Sequence, residues 1–181
     1  TSVSLKQAAN LIALSPELRY FLQGEPGIGK SSIMNLIGEL KPNHFRSYMD
    51  CAPLDLGDVA MPVVNRELRI TEYFPNGRFG MHTGEPVLMM LDEFTKAADP
   101  VKNMLHPLLE SANPRLGDIP VHPESIIFAT GNLSSDGVGD VFKAHTHNRI
   151  IPLHVRKPDH KEWLAWAVNN DIEPVVMSWV H

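Results

Sequence analysis

The segment Gly24-Glu25-Pro26-Gly27-Ile28-Gly29-Lys30-Ser31 constrains this chain more than any other. It satisfies the pattern G-x-x-x-x-G-K-[ST], and its surroundings matter as much as its composition. Arg19 to Gln23 (RYFLQ) reads as a short strand. Ser31 to Leu40 reads as a helix, with Ile33, Leu36, Ile37 and Leu40 at i, i+3, i+4 and i+7. A strand, a glycine loop and a helix in that order curl the backbone so that its N–H groups converge at the positive end of the helix, an arrangement suited to a phosphate. In that frame Gly24, Glu25, Pro26, Gly27, Ile28, Gly29, Lys30, Ser31 and Ser32 form the binding loop. Lys30 reaches the outer phosphates of a nucleotide, and Ser31 offers its hydroxyl to Mg²⁺. A glycine-rich turn with a solvated lysine would explain neither the strand before the loop nor the helix after it.

The remaining elements are compatible with that start. Ser4 to Leu14 reads as a helix with Leu5, Ala8, Ala9 and Ile12 on one face, and His44 to Ala52 as a second strand. Val87 to Leu91 (VLMML), Ser125 to Thr130 (SIIFAT) and Ile150 to Val155 read as further strands; the first two are runs apolar enough to be buried on both faces. Pro100 to Ser111 is helical in pattern, although Pro107 should disturb it. Pro53 to Gly84 is too long for a plain loop and predicts an insertion with a hairpin or short helix, its alternating piece being Leu68 to Phe74. Arg115 to Val121 predicts a small hairpin about Gly117-Asp118, and helices are expected from Lys161 to Val168 and again from Pro174. Strands alternating with helices imply an α/β domain with a largely parallel sheet flanked by helices.

Asp92-Glu93 follows the apolar strand directly. An aspartate there can hold Mg²⁺ opposite Ser31, and the glutamate beside it can accept a proton from an attacking water. A polar pair capping a turn is the plainer alternative, but a phosphate loop earlier in the chain favours the first reading.

These motifs together resemble those of the AAA+ ATPases, and within them the MoxR-like group. GEPGIGKS, VLMMLDEFTKA and IIFATGN occur in family order, the hairpin PRLGDIPV precedes the last of them, and the segment Asp55 to Gly80 is similar to the group's insertion. The resemblance implies an ATP-hydrolysing motor that works as a ring, commonly a hexamer. Its work would be to remodel a protein client, with a von Willebrand A-type domain as a possible partner. It implies that Asn132 senses the γ-phosphate and that Arg149 reaches into a neighbouring subunit's site, although Asn148-Arg149-Ile150 departs from the usual acidic-Arg-Phe. It also implies a nucleotide-binding domain over residues 1–157, and over residues 158–181 the beginning of a helical lid that the chain leaves truncated.

Composition narrows the alternatives. A net charge of −5 and a pI near 6.0 tilt the client toward protein, because nucleic-acid-binding domains often have a pI above ~9. A DNA-associated motor stays open as the alternative, with Arg66, Arg69 and Arg78 giving the insertion some positive charge. Cys51 is the only cysteine, so no disulfide can form within the chain. No apolar run approaches the ~18 residues of a membrane helix, and a cytoplasmic setting is expected. His145 and His147 invite a metal reading, but no third ligand stands at zinc-site spacing.

Overall fold

The computed structural model describes residues 2–25, 27–110, 113–132 and 150–175. In chain order the elements are β1 (Ser2–Val3), α1 (Leu5–Leu14), β2 (Arg19–Gly24), α2 (Ile33–Leu40), β3 (Phe45–Asp50), α3 (Leu56–Val59), β4 (Ala60–Asn65), β5 (Ile70–Pro75), β6 (Val87–Asp92), α4 (Asp99–Leu105), β7 (Arg115–Leu116), β8 (Ile119–Pro120), β9 (Ile126–Asn132), β10 (Ile150–Val155) and α5 (His160–Asn169). Six strands form one sheet in the order β1-β10-β2-β9-β6-β3, and every neighbouring pair is parallel.

The apolar runs are continuous because the sheet is covered on both faces. In β6, Val87, Met89 and Leu91 join one core cluster while Leu88 and Met90 join the other. β9 divides the same way, Ile127 and Ala129 against Ile126 and Phe128. Successive side chains of a strand point to opposite faces, so a strand covered on both must be apolar at every position. One face packs under α1 and α2 through Ala8, Ile12, Ile33 and Ile37. The other packs under α4 and the turn after it through Val101, Leu105, Leu108 and Leu109. Cys51 lies buried in this second cluster, and its thiol is pushed up to about 12, mainly by burial and then by Asp50 and Asp92. It is therefore a packing residue rather than a nucleophile.

Local chemistry sets several boundaries. Ser4 and Gln7 close a capping box at the start of α1. The expected helix from Ser31 to Leu40 is shorter than its pattern suggests: Lys30–Ser32 is a 3₁₀ turn and α2 begins at Ile33. Leu40, placed on the apolar face by periodicity, is exposed, while Met34 is buried in its stead. Pro107 has the effect its chemistry requires: α4 stops at Leu105 and the chain continues as a 3₁₀ turn, His106–Leu109. Asp159 and Glu162 form another capping box at α5, and Arg156 grips Glu162 with two bonds of 2.7 and 2.8 Å.

The insertion contains α3 and the antiparallel hairpin β4–β5, in register from Ala60 opposite Pro75 to Asn65 opposite Ile70. Its strands are exposed on both faces, unlike the central ones. The hairpin β7–β8 touches it: the Tyr73 amide donates to Asp118 Oδ2 at 2.6 Å, and the Asp118 amide donates to the Tyr73 carbonyl at 2.9 Å. Arg78 is paired with Asp58 at 3.2 Å. No helix among the described residues is long and apolar enough to cross a membrane.

Candidate functional site

The parallel register carries four strand ends to one edge of the sheet. Gly24 of β2 lies level with Asn132 of β9, and Asp50 of β3 lies level with Asp92 of β6. β2 has β9 on one side and β10 on the other, and in such sheets ligands bind beyond the carboxyl ends of the strands where the order switches. The glycine loop leaves from that point.

Three glycines make the loop possible. Gly27 and Gly29 have φ of 77° and 86°, a region that residues with a Cβ rarely occupy. At Gly24 a Cβ would stand 2.2 Å from the Ile28 side chain and 2.9 Å from the Val155 carbonyl. Ile28 is buried and closes the loop's underside against the core. The Lys30 ammonium donates to the carbonyls of Gly24 and Glu25 at 2.9 and 3.1 Å. Burial lowers its pKa, and the charges of Asp92 and Glu93 act in the opposite sense. The Ser32 hydroxyl turns back to the Gly29 carbonyl at 2.7 Å, bracing the loop. The Glu25 carboxylate pairs with Lys157 at 2.5 Å, tying the loop to the segment after β10.

The two motifs meet at Asp92. The Ser31 hydroxyl donates to Asp92 Oδ2 at 3.3 Å across 61 residues of sequence. Asp92 is buried, and three further donors reach it. The Thr130 hydroxyl bonds Oδ1, the Glu93 amide reaches Oδ1 at 3.2 Å, and the Tyr48 hydroxyl bonds Oδ2 at 2.7 Å. The bond to Asp92 is the first cause that pushes the Tyr48 phenol up to about 12, followed by burial, so Tyr48 stays protonated and a donor.

Glu93 adopts a left-handed conformation with φ 49°, which costs a non-glycine residue on the order of 1 kcal/mol. Its amide is held by both Asp92 and the Thr130 oxygen, the latter at 3.1 Å. Lys96 meets the Glu93 carboxylate at 2.6 Å.

The structure therefore brings together Gly24, Gly27, Gly29, Lys30, Ser31, Asp92 and Glu93, with the backbone of Asn132 alongside. Pro26 and Arg149 lie outside the described residues, as do His145 and His147. Among the described residues no group of three or more His, Cys, Asp and Glu side chains forms a metal cluster. Ser31 and Asp92 offer two hard oxygen donors, which fits Mg²⁺, an ion that commonly takes one or two protein ligands and completes its shell with water and phosphate. Sequence reasoning missed Tyr48, Thr130, Lys96 and Lys157. Thr130 carried a signal, since a hydroxyl in a doubly covered strand needs a buried partner. So did Lys96, three residues after Glu93 in a helical turn. Nothing in the spacing pointed to Tyr48 or Lys157.

No protein-family model matches the sequence, and no curated protein matches it. Solved structures do. A candidate ATPase of Cytophaga hutchinsonii aligns with 96% of the chain at 15% identity and a TM-score of 0.62, the match covering 52% of that protein. NtrX of Brucella abortus, solved in complex with ADP, aligns with 94% of the chain at 15% identity and a TM-score of 0.59, covering 41% of that protein. The chain thus spans about half of these structures or less. The likeness shows the fold: a parallel sheet covered by helices on both faces, with the glycine loop at its carboxyl edge.

Proposed function

We propose that the chain is the nucleotide-binding core of an AAA+ motor that hydrolyses ATP. The observation that supports this most directly is the meeting of Ser31 and Asp92 at 3.3 Å, at the mouth of a glycine loop and the carboxyl edge of a parallel sheet. In this reading the loop amides and Lys30 bind the phosphates, neutralising charge that builds up as the terminal phosphoryl group transfers. Ser31 and Asp92 would hold Mg²⁺, whose charge would add to that neutralisation. Glu93 accepts a proton from the attacking water as its oxygen bonds to the γ-phosphorus, and the bridging P–O bond breaks to release ADP and phosphate. Lys96, 2.6 Å from Glu93, holds that carboxylate at the site's edge. Asn132 senses the γ-phosphate from the end of β9, whose backbone lies level with Gly24.

The finer reading follows the motif resemblance. The chain acts in a ring, a hexamer, as a MoxR-like chaperone that remodels a protein client. Arg149 of each subunit completes a neighbour's site, residues 158–181 begin a lid, and a von Willebrand A-type domain serves as partner. The order of the three motifs and the insertion between β3 and β6 support this reading.

Lys30→Ala tests the core of the proposal. It should weaken ATP binding by about two orders of magnitude, the scale of two lost charge-assisted contacts. Calorimetry that finds unchanged affinity would refute the phosphate-loop assignment.

A further inference from the structure

We infer that Tyr48 is a positioning residue that restricts Asp92 to one free coordination position and so biases the site toward Mg²⁺ over Ca²⁺. The inference rests on the nucleotide and cation reading above. A carboxylate offers about four lone-pair positions, and each Asp92 oxygen already accepts two donors. Oδ1 takes the Thr130 hydroxyl and the Glu93 amide. Oδ2 takes the Tyr48 hydroxyl at 2.7 Å and the Ser31 hydroxyl at 3.3 Å. The longest of these bonds comes from Ser31, itself the other proposed ligand. A cation that displaces it gains a single position on Oδ2, next to the Ser31 oxygen. Oδ1 remains committed to a buried strand and to backbone.

A carboxylate held this way coordinates through one oxygen. Mg²⁺ requires a near-octahedral shell and accepts such a ligand, whereas Ca²⁺ takes six to eight oxygens and commonly binds carboxylates through both. Tyr48 supplies the restraint on the outer oxygen. It stands on the edge strand β3 level with Met90, on the same face as Asp92, and reaches diagonally to it. The residue as a whole is 49% exposed, while its bond to Asp92 is part-buried.

The test uses the full chain loaded with a non-hydrolysable ATP analogue and Mn²⁺ as the probe, with bound Mn²⁺ read by electron paramagnetic resonance. Mg²⁺ and Ca²⁺ are titrated in competition. Tyr48→Phe removes one oxygen from a half-exposed ring and should reduce the Mg²⁺-over-Ca²⁺ preference by about fivefold to tenfold, the order of one charge-assisted hydrogen bond. Tyr48→Leu should do the same, which assigns the effect to the hydroxyl even if one of the two variants folds poorly. Asp92→Asn separates the two levels of the argument. If it binds Mn²⁺ as well as the wild type, the cation reading of Asp92 fails and the role of Tyr48 with it. If Asp92→Asn loses Mn²⁺ but both Tyr48 variants keep the wild-type preference, the cation reading stands and the Tyr48 inference is overturned.

Discussion

β6 and β4 are both six-residue strands rich in apolar side chains, VLMMLD and AMPVVN, yet they meet opposite fates. Every residue of β6 is buried, with β3 and β9 beside it and a helical layer over each face. In β4, Met61, Val63 and Val64 are exposed, Val64 at 67%. Its single partner is β5, itself mostly exposed. Apolar composition alone therefore does not bury a strand; the number of layers around it does. The contrast also bears on where the proposed chemistry would sit. Asp92 and Glu93 sit at the end of the doubly covered strand, where packing can fix a carboxylate's angle. The hairpin has no comparable support.

Four substitutions in the chain break or sharpen this contrast, beyond the Lys30 test above. Glu93→Gln at the end of β6 should have the largest effect, a fall in ATP turnover of about 10²–10⁴-fold, the usual range for a lost general base, with nucleotide still bound. Steady-state phosphate release and a binding titration measure the two halves, and normal turnover would remove Glu93 as the base. Leu88→Ala, within the same strand and fully buried, should lower unfolding free energy by about 2–5 kcal/mol in a denaturant titration. Loss of metal preference in Tyr48→Phe comes next, since it breaks one hydrogen bond and leaves the layers intact. Val64→Ala in β4 should change stability by less than about 0.5 kcal/mol, as surface substitutions away from special features usually do. A cost close to that of Leu88→Ala would mean that the hairpin is covered in solution.

Much of the fold could be read from the sequence. The strand, glycine loop and helix order, the doubly buried runs, the insertion and the hairpin about Gly117 all follow from local patterns. The boundaries were less legible. Periodicity carried α2 back to Ser31, but the loop enters it through a 3₁₀ turn because the left-handed Gly29 immediately precedes. The same pattern assigned Leu40 to the core, although the helix ends there and the residue is exposed.

The site divides along a similar line. Lys30, Ser31 and Asp92 could be named as candidates from motifs, because the proposed phosphate and magnesium binding would draw on those side chains beside a glycine loop and at the end of a buried strand. Local sequence thus determined which groups were available. Tertiary structure decided how they are held: the strand order sets Ser31 against Asp92 across 61 residues, brings Thr130 beneath Oδ1 and leans Tyr48 onto Oδ2. Hydrogen bonds of that kind depend on which strands become neighbours, and in a parallel sheet neighbours are far apart in the chain, so no local pattern records them.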